Sequence, residues 1–159
     1  MENCMIIKGS KKGTLFLSTL AFFVGFAGVS AYGPIVPILK KTLSLSPFLM
    51  SLLIAAPALT GSLLRIPFGA MVDKIGGKRP ILILIFLSII GLAGMSWLTS
   101  IEPERQMAYY GWFICFGLLA GSGIAIFSVG IPTVAYWYPQ KSQGSALALY
   151  GGLGNTAPG

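Results

Sequence analysis

The sequence predicts an all-α integral membrane protein of four transmembrane helices plus the start of a fifth. Three observations carry this. The 159-residue chain is 55% hydrophobic and only 9% charged, with mean hydropathy +0.81. Its apolar runs reach the ~20 residues that cross a hydrocarbon core. Its charges fall between those runs, not within them, with one exception. Such a composition excludes an ordinary soluble domain.

The elements follow in order. Residues 1–13 form a polar tail, and the first run extends from about Thr14 to Leu39. That run is too long for a signal-peptide core and opens into further spans, so it reads as a retained anchor. The second span covers about Pro47 to Val72, and the third about Pro80 to Thr99, after a short basic turn. The fourth covers about Ala108 to Tyr136, and a fifth begins near Gly144 and is incomplete at Gly159. Residues 14–159 thus read as a partial transmembrane bundle. The 21 glycines, with Pro57, Pro67 and Pro132 inside runs, suit closely packed and locally bent helices.

The net charge of +7 is distributed as topology, not as a nucleic-acid surface. Lys8, Lys11, Lys12, Lys74, Lys78, Arg79 and Lys141 share one side, whereas Lys40, Lys41 and Arg105 fall on the other. The excess of cations marks the cytoplasmic side, which places the N-terminus there and the protein in the cytoplasmic membrane. Cys4 and Cys115 are too few and too far apart for a disulfide framework or a metal site. No cofactor and no catalytic group are expected. Trp97, Tyr109, Tyr110, Trp112, Trp137 and Tyr138 read as anchors at the membrane interface, and Tyr32 and Tyr150 as aromatics whose facing is open.

The exception among the charges is Arg65. It lies eight residues before Asp73, which places its Cα roughly 12 Å inside a core about 30 Å thick. An arginine at that depth costs on the order of 3 kcal/mol and normally faces a protein interior or a wet cavity. The four acids, Glu2, Asp73, Glu102 and Glu104, all fall in the tail or in turns, and there is no histidine. Arg65 therefore either snorkels, pairs with a carboxylate elsewhere in a larger protein, or meets an anionic substrate.

Gly69, Asp73, Gly76, Lys78 and Arg79 in GAMVDKIGGKR resemble the signature turn between the second and third helices of the major facilitator superfamily. Gly69 would permit close helix approach, Asp73 would pair with basic residues or a helix N-terminus, and Gly76 and Gly77 would allow a tight reversal. Two further segments, ALTGSLLRIPFGAM (Ala58 to Met71) and WYPQKSQGSALALYGGLGN (Trp137 to Asn155), resemble the nitrate/nitrite porter family of that superfamily. The chain departs from that pattern at Ala157 and Pro158, which bears on local helix geometry.

The resemblance implies a fold: the N-terminal portion of a six-helix bundle, one half of a twelve-span carrier built from inverted repeats. Gly25 to Pro37 and Gly121 to Val134 carry a faint echo of that repeat, relating spans one and four. It also implies roles. Arg65 matches the arginine that takes the anion's oxygens, Asn155 the signature asparagine, and Phe127 a helix-four aromatic that packs on the planar anion. A similar helix-one phenylalanine falls on Phe23 or its neighbour Phe22. The helix-five glycines Gly151, Gly152 and Gly154 would let that helix approach its neighbours.

The expected function is transport of nitrate or nitrite by alternating access, with a small inorganic anion and the lipid bilayer as partners, no nucleic acid, and no enzymatic activity. The chain reads as truncated, its missing C-terminal half supplying the rest of the cavity. A carrier for another small anion, such as a carboxylate, would use the same arginine without the GGLGN element. A small non-transporting membrane subunit would fit the length but not the carrier signature.

Overall fold

A computed structural model describes residues 9–157, so Glu2, Cys4, Lys8, Pro158 and Gly159 lie outside the described residues. Eight α-helices follow one another: α1 (Lys11–Leu43), α2 (Pro47–Leu63), α3 (Arg65–Ile75), α4 (Lys78–Thr99), α5 (Pro103–Gln106), α6 (Tyr110–Ala120), α7 (Ser122–Trp137) and α8 (Gln140–Gly154), with a 3₁₀ turn at Met107–Tyr109. They build four candidate membrane spans, Lys11–Lys41, Pro47–Ile75, Lys78–Thr99 and Pro103–Trp137. The first and fourth spans overrun their apolar runs at both ends, the second at its C-terminal end and the third at its N-terminal end, because capping and polar turns set helix ends, whereas hydropathy only marks the lipid-facing middle. Ser10 caps α1 by accepting the Gly13 N–H at 3.0 Å, four residues before the apolar run begins. The fourth span starts at Pro103, where proline occupies a first helical position that needs no N–H.

Span two is made of two helices, and span four breaks between its two long helices, α6 and α7. The second divides at Leu64, where Pro67 lacks the N–H that the Leu63 carbonyl would otherwise accept. The fourth divides at Gly121, which lies against the backbone of Pro57: a Cβ there would come within 2.5 Å of Pro57 Cα. Pro57 itself frees the carbonyl of Leu53. Tyr32 of α1 fills that vacancy, its hydroxyl donating to Leu53 O at 2.8 Å. Tyr32 is thereby buried in the bundle.

Glycine sets the closest crossings. Gly25 of α1 meets Gly123 of α7, and a Cβ on Gly123 would stand 2.7 Å from the Gly25 carbonyl oxygen. These positions come from the two echoed segments, so spans one and four cross where their shared pattern places a glycine in each. α4 packs on α6 and α7 through Gly91, which abuts the backbone at Leu119 and Ala120. Two serines brace that contact reciprocally: Ser88 donates to Ala120 O at 3.2 Å and Ser122 to Leu84 O at 2.9 Å. Hydroxyls satisfied by backbone carbonyls are the usual polar joints between helices in lipid.

Buried apolar side chains form two clusters, one containing Phe22, Val72, Leu84, Ile126, Val134 and Tyr150, the other Tyr32, Leu39, Leu53, Met95, Leu98 and Phe113. Phe16, Phe48, Ile66, Phe86 and Trp97 stand exposed on the outside. In water such a surface would aggregate. In a bilayer it faces lipid, and the described chain is a multi-pass membrane protein.

Candidate functional site

The residues expected at the site lie on α1, α3, α7 and α8, and α7 packs against each of the other three. Arg65 is the first residue of α3, directly after the break at Leu64, and its side chain is exposed. Asp73 lies about 12 Å further along the same helix and its Oδ1 is taken by the Tyr136 hydroxyl at 2.6 Å. Among the described residues Arg65 therefore has no carboxylate partner. Glu102 and Glu104 belong to the opposite turn, around α5.

Phe127 projects from α7, which packs against both α3 and α8. Its ring is half-buried and lies in an aromatic cluster from three helices. The Phe22 ring of α1 is 5.1 Å from it and inclined at 43°; the Tyr150 ring of α8 is 6.2 Å away and nearly parallel, at 12°. Phe22 and Tyr150 also meet each other, at 5.3 Å, and Phe26 packs edge-on to Phe22 at 5.0 Å. Aromatic pairs at such separations prefer tilted or offset arrangements.

The sequence left the helix-one phenylalanine between Phe22 and Phe23, favouring Phe23. The structure brings Phe22 to Phe127. Phe23 turns outward and lines, with Lys12, Phe16, Leu20, Leu149 and Leu153, a groove of about 410 Å³ between α1 and α8. Adjacent helical positions differ by about 100° of rotation, so both cannot serve one face.

The glycines of helix five divide in role. Gly154 receives the face of Phe22: a Cβ there would come within 2.5 Å of the ring's Cε1. Gly151 lies beside Phe127, with 4.0 Å between a notional Cβ and Cε2, whereas Gly152 has no neighbour within 4 Å. Asn155 caps α8, its N–H bonding Gly151 O at 3.1 Å, and its side chain is exposed. Tyr150, whose facing the sequence left open, is fully buried, and its hydroxyl donates to the carbonyls of Ile126 and Phe127, each at 3.1 Å. The helical spacing of Ala146, Tyr150 and Gly154 on one buried face was the sequence signal for it.

The signature turn departs from expectation in three places. Asp73 pairs with the Tyr136 phenol instead of a cation or helix end. Gly76 makes the reversal alone, at φ 76°, where a Cβ is disfavoured. Gly77 is helical at φ −75° and is needed for space, because a Cβ there would lie 2.7 Å from Thr133 Cγ2. Gly69 has no neighbour within 4 Å, so it makes no close helix approach among the described residues. Lys78 and Arg79 are exposed at the start of α4. The interface tyrosines are also more specific than anchors: Tyr110 donates to Leu49 O at 2.7 Å and Tyr138 to Lys11 O at 3.3 Å.

Chemically, the arrangement offers one planar cation, one amide and a pair of aromatic faces, with no titratable acid among them.

Residues 18–159 match the family described as the Major Facilitator Superfamily. The chain is 34% identical over 141 residues to the "Probable nitrate transporter NarT" of Staphylococcus aureus strains JH9, Newman and USA300. That alignment covers 89% of this chain and 34% of each relative, so the chain spans about a third of the length of the curated relatives it matches.

Proposed function

The chain belongs to the Major Facilitator Superfamily, a family of membrane carriers and not of enzymes, and from that premise we propose that it supplies the first part of a carrier for nitrate or nitrite. The observation that carries the reading is Arg65, a cation at the break of span two with no carboxylate among the described residues to neutralise it. The substrate is its counter-ion. A guanidinium presents a planar fork of donors to a planar trigonal oxyanion, and bidentate contact adds geometric selection to the Coulomb attraction. Phe127, half-buried on α7, walls the anion, and Phe22 packs behind it. Asn155, exposed at the end of α8, adds a donor without charge.

In this reading the N-terminus, the 73–79 turn and Lys141 face the cytoplasm, and Lys40 and Glu102 face outward. The hydrogen bonds from Tyr136 to Asp73 and from Tyr138 to Lys11 support one shared end for those segments. Alternating access needs a second bundle rocking against this one, with the anion held between them. The breaks at Leu64 and Gly121 give spans two and four bends beside the site.

The test is nitrate uptake by the complete carrier bearing Arg65→Lys, at matched membrane expression. Lysine keeps the charge and loses the fork, so apparent affinity should fall about tenfold or more. Uptake of near-normal affinity and rate would remove Arg65 from the site.

A further inference from the structure

We propose that Tyr150 is a positioning residue for the anion site: its hydroxyl, seated in a slot that Gly130 leaves open in α7, holds the ring of Phe127 in place. The proposal rests on the anion-site reading above, and its geometry is independent of it.

The two buried tyrosine hydroxyls do different things. Tyr32 satisfies the Leu53 carbonyl that Pro57 has left without its helical donor. Tyr150 meets no such need. It donates to Ile126 O and Phe127 O, whose helical partners, the N–H groups of Gly130 and Ile131, are both present within α7. A phenylalanine would fill the same space without burying a polar group, so the hydroxyl's contribution is placement. Its two bonds fix the Tyr150 ring against the backbone of Phe127 itself. The ring then stacks on Phe127 at 6.2 Å and 12°, and Phe22 packs on both, 5.1 Å from Phe127 and 5.3 Å from Tyr150. Phe127 is thus one corner of a triangle of rings delivered by three helices.

Gly130 makes this possible. A Cβ at that position would lie 2.7 Å from Tyr150 Cε2 and closer still to the hydroxyl, so any larger residue would push the ring away from α7. Gly154, one turn beyond Tyr150 on α8, accommodates Phe22 in the same way. Two glycines on two helices thus provide the seats for the two rings that pack on Phe127. Fixing a contact surface in its bound arrangement before the ligand arrives raises affinity by reducing what must be ordered on binding.

The experiment uses the complete carrier with Tyr150→Phe, and with Gly130→Ala as a second variant that displaces the same ring from the α7 side. Nitrate uptake is measured across concentrations, with Arg65→Lys as the control for the site. In parallel, 4-fluorophenylalanine at position 127 reports the ring's environment by fluorine resonance in nanodiscs. Both variants should raise KM about three- to tenfold with Vmax largely retained. The single sharp fluorine line should broaden or split. If Arg65→Lys loses uptake while Tyr150→Phe leaves KM and the fluorine line unchanged, the positioning role is overturned and the anion site stands. A rise in KM with an unchanged fluorine line also overturns it. If Arg65→Lys transports normally, the anion-site reading fails; the fluorine line then decides alone whether Tyr150 holds Phe127.

Discussion

Replacing Gly91 by alanine tests the packing that holds α4 to the broken fourth span. A Cβ at Gly91 would stand 2.7 Å from both Ala120 Cα and the Leu119 carbonyl carbon, against 3.4–4 Å for ordinary contact. Those are backbone atoms, so relief comes only from moving one helix away from the other by about 1 Å. That movement stretches the Ser88 bond to Ala120 O, already 3.2 Å, and the Ser122 bond to Leu84 O at 2.9 Å. Overpacking costs ~1–3 kcal/mol, and two interhelical hydrogen bonds in a membrane add about 0.6 kcal/mol each. Alanine returns roughly 0.5–1 kcal/mol through helix propensity. The net expectation is a loss of about 1–4 kcal/mol. The assay is reversible unfolding in mixed micelles followed by tryptophan fluorescence. Gly144→Ala is the control, because nothing lies within 4 Å of that glycine and the change should be neutral or slightly stabilising. If Gly91→Ala matches the parent within about 0.5 kcal/mol, the close α4–α6 contact does not limit packing and the reasoning fails.

Tyr32→Phe leaves the Leu53 carbonyl beside Pro57 without a donor, so unfolding should show a loss of ~1–3 kcal/mol; parent-like stability would mean that another group takes over. Asp73→Asn and Tyr136→Phe should be non-additive, with a small coupling because the pair is exposed. Additive effects on stability would show that their 2.6 Å contact contributes nothing. For orientation, a cysteine at Lys74 in a variant lacking Cys4 and Cys115 should resist an impermeant thiol reagent applied to intact cells, and one at Lys40 should react. The opposite pattern would invert the topology.

How far the site was legible depends on the kind of property involved. Arg65 stood out because charge and depth are read along one chain: the cost of an arginine eight residues inside an apolar run does not depend on its neighbours. The signature turn was recognisable from spacing, and the reversal at Gly76 from composition. The tasks of the other residues in it were not. Gly69, Gly76 and Gly77 look equivalent in sequence, yet one faces open space, one turns the backbone at positive φ and one makes room for Thr133.

The sequence by itself determined the class of fold, the presence of four long apolar helices and the place of Arg65 inside one of them, since hydropathy and charge act locally and the bilayer imposes them residue by residue. Tertiary structure decided that Phe22, and not Phe23, reaches Phe127, because a single step along a helix turns a side chain by about 100° and only the crossing of α1 with α7 and α8 fixes which face is inward. It likewise decided the use of the tyrosines. Pro57 announces a freed carbonyl at Leu53 four residues earlier, but that Tyr32 answers it, while Tyr150 seeks α7 at Gly130, follows from helices brought together across more than twenty residues of chain.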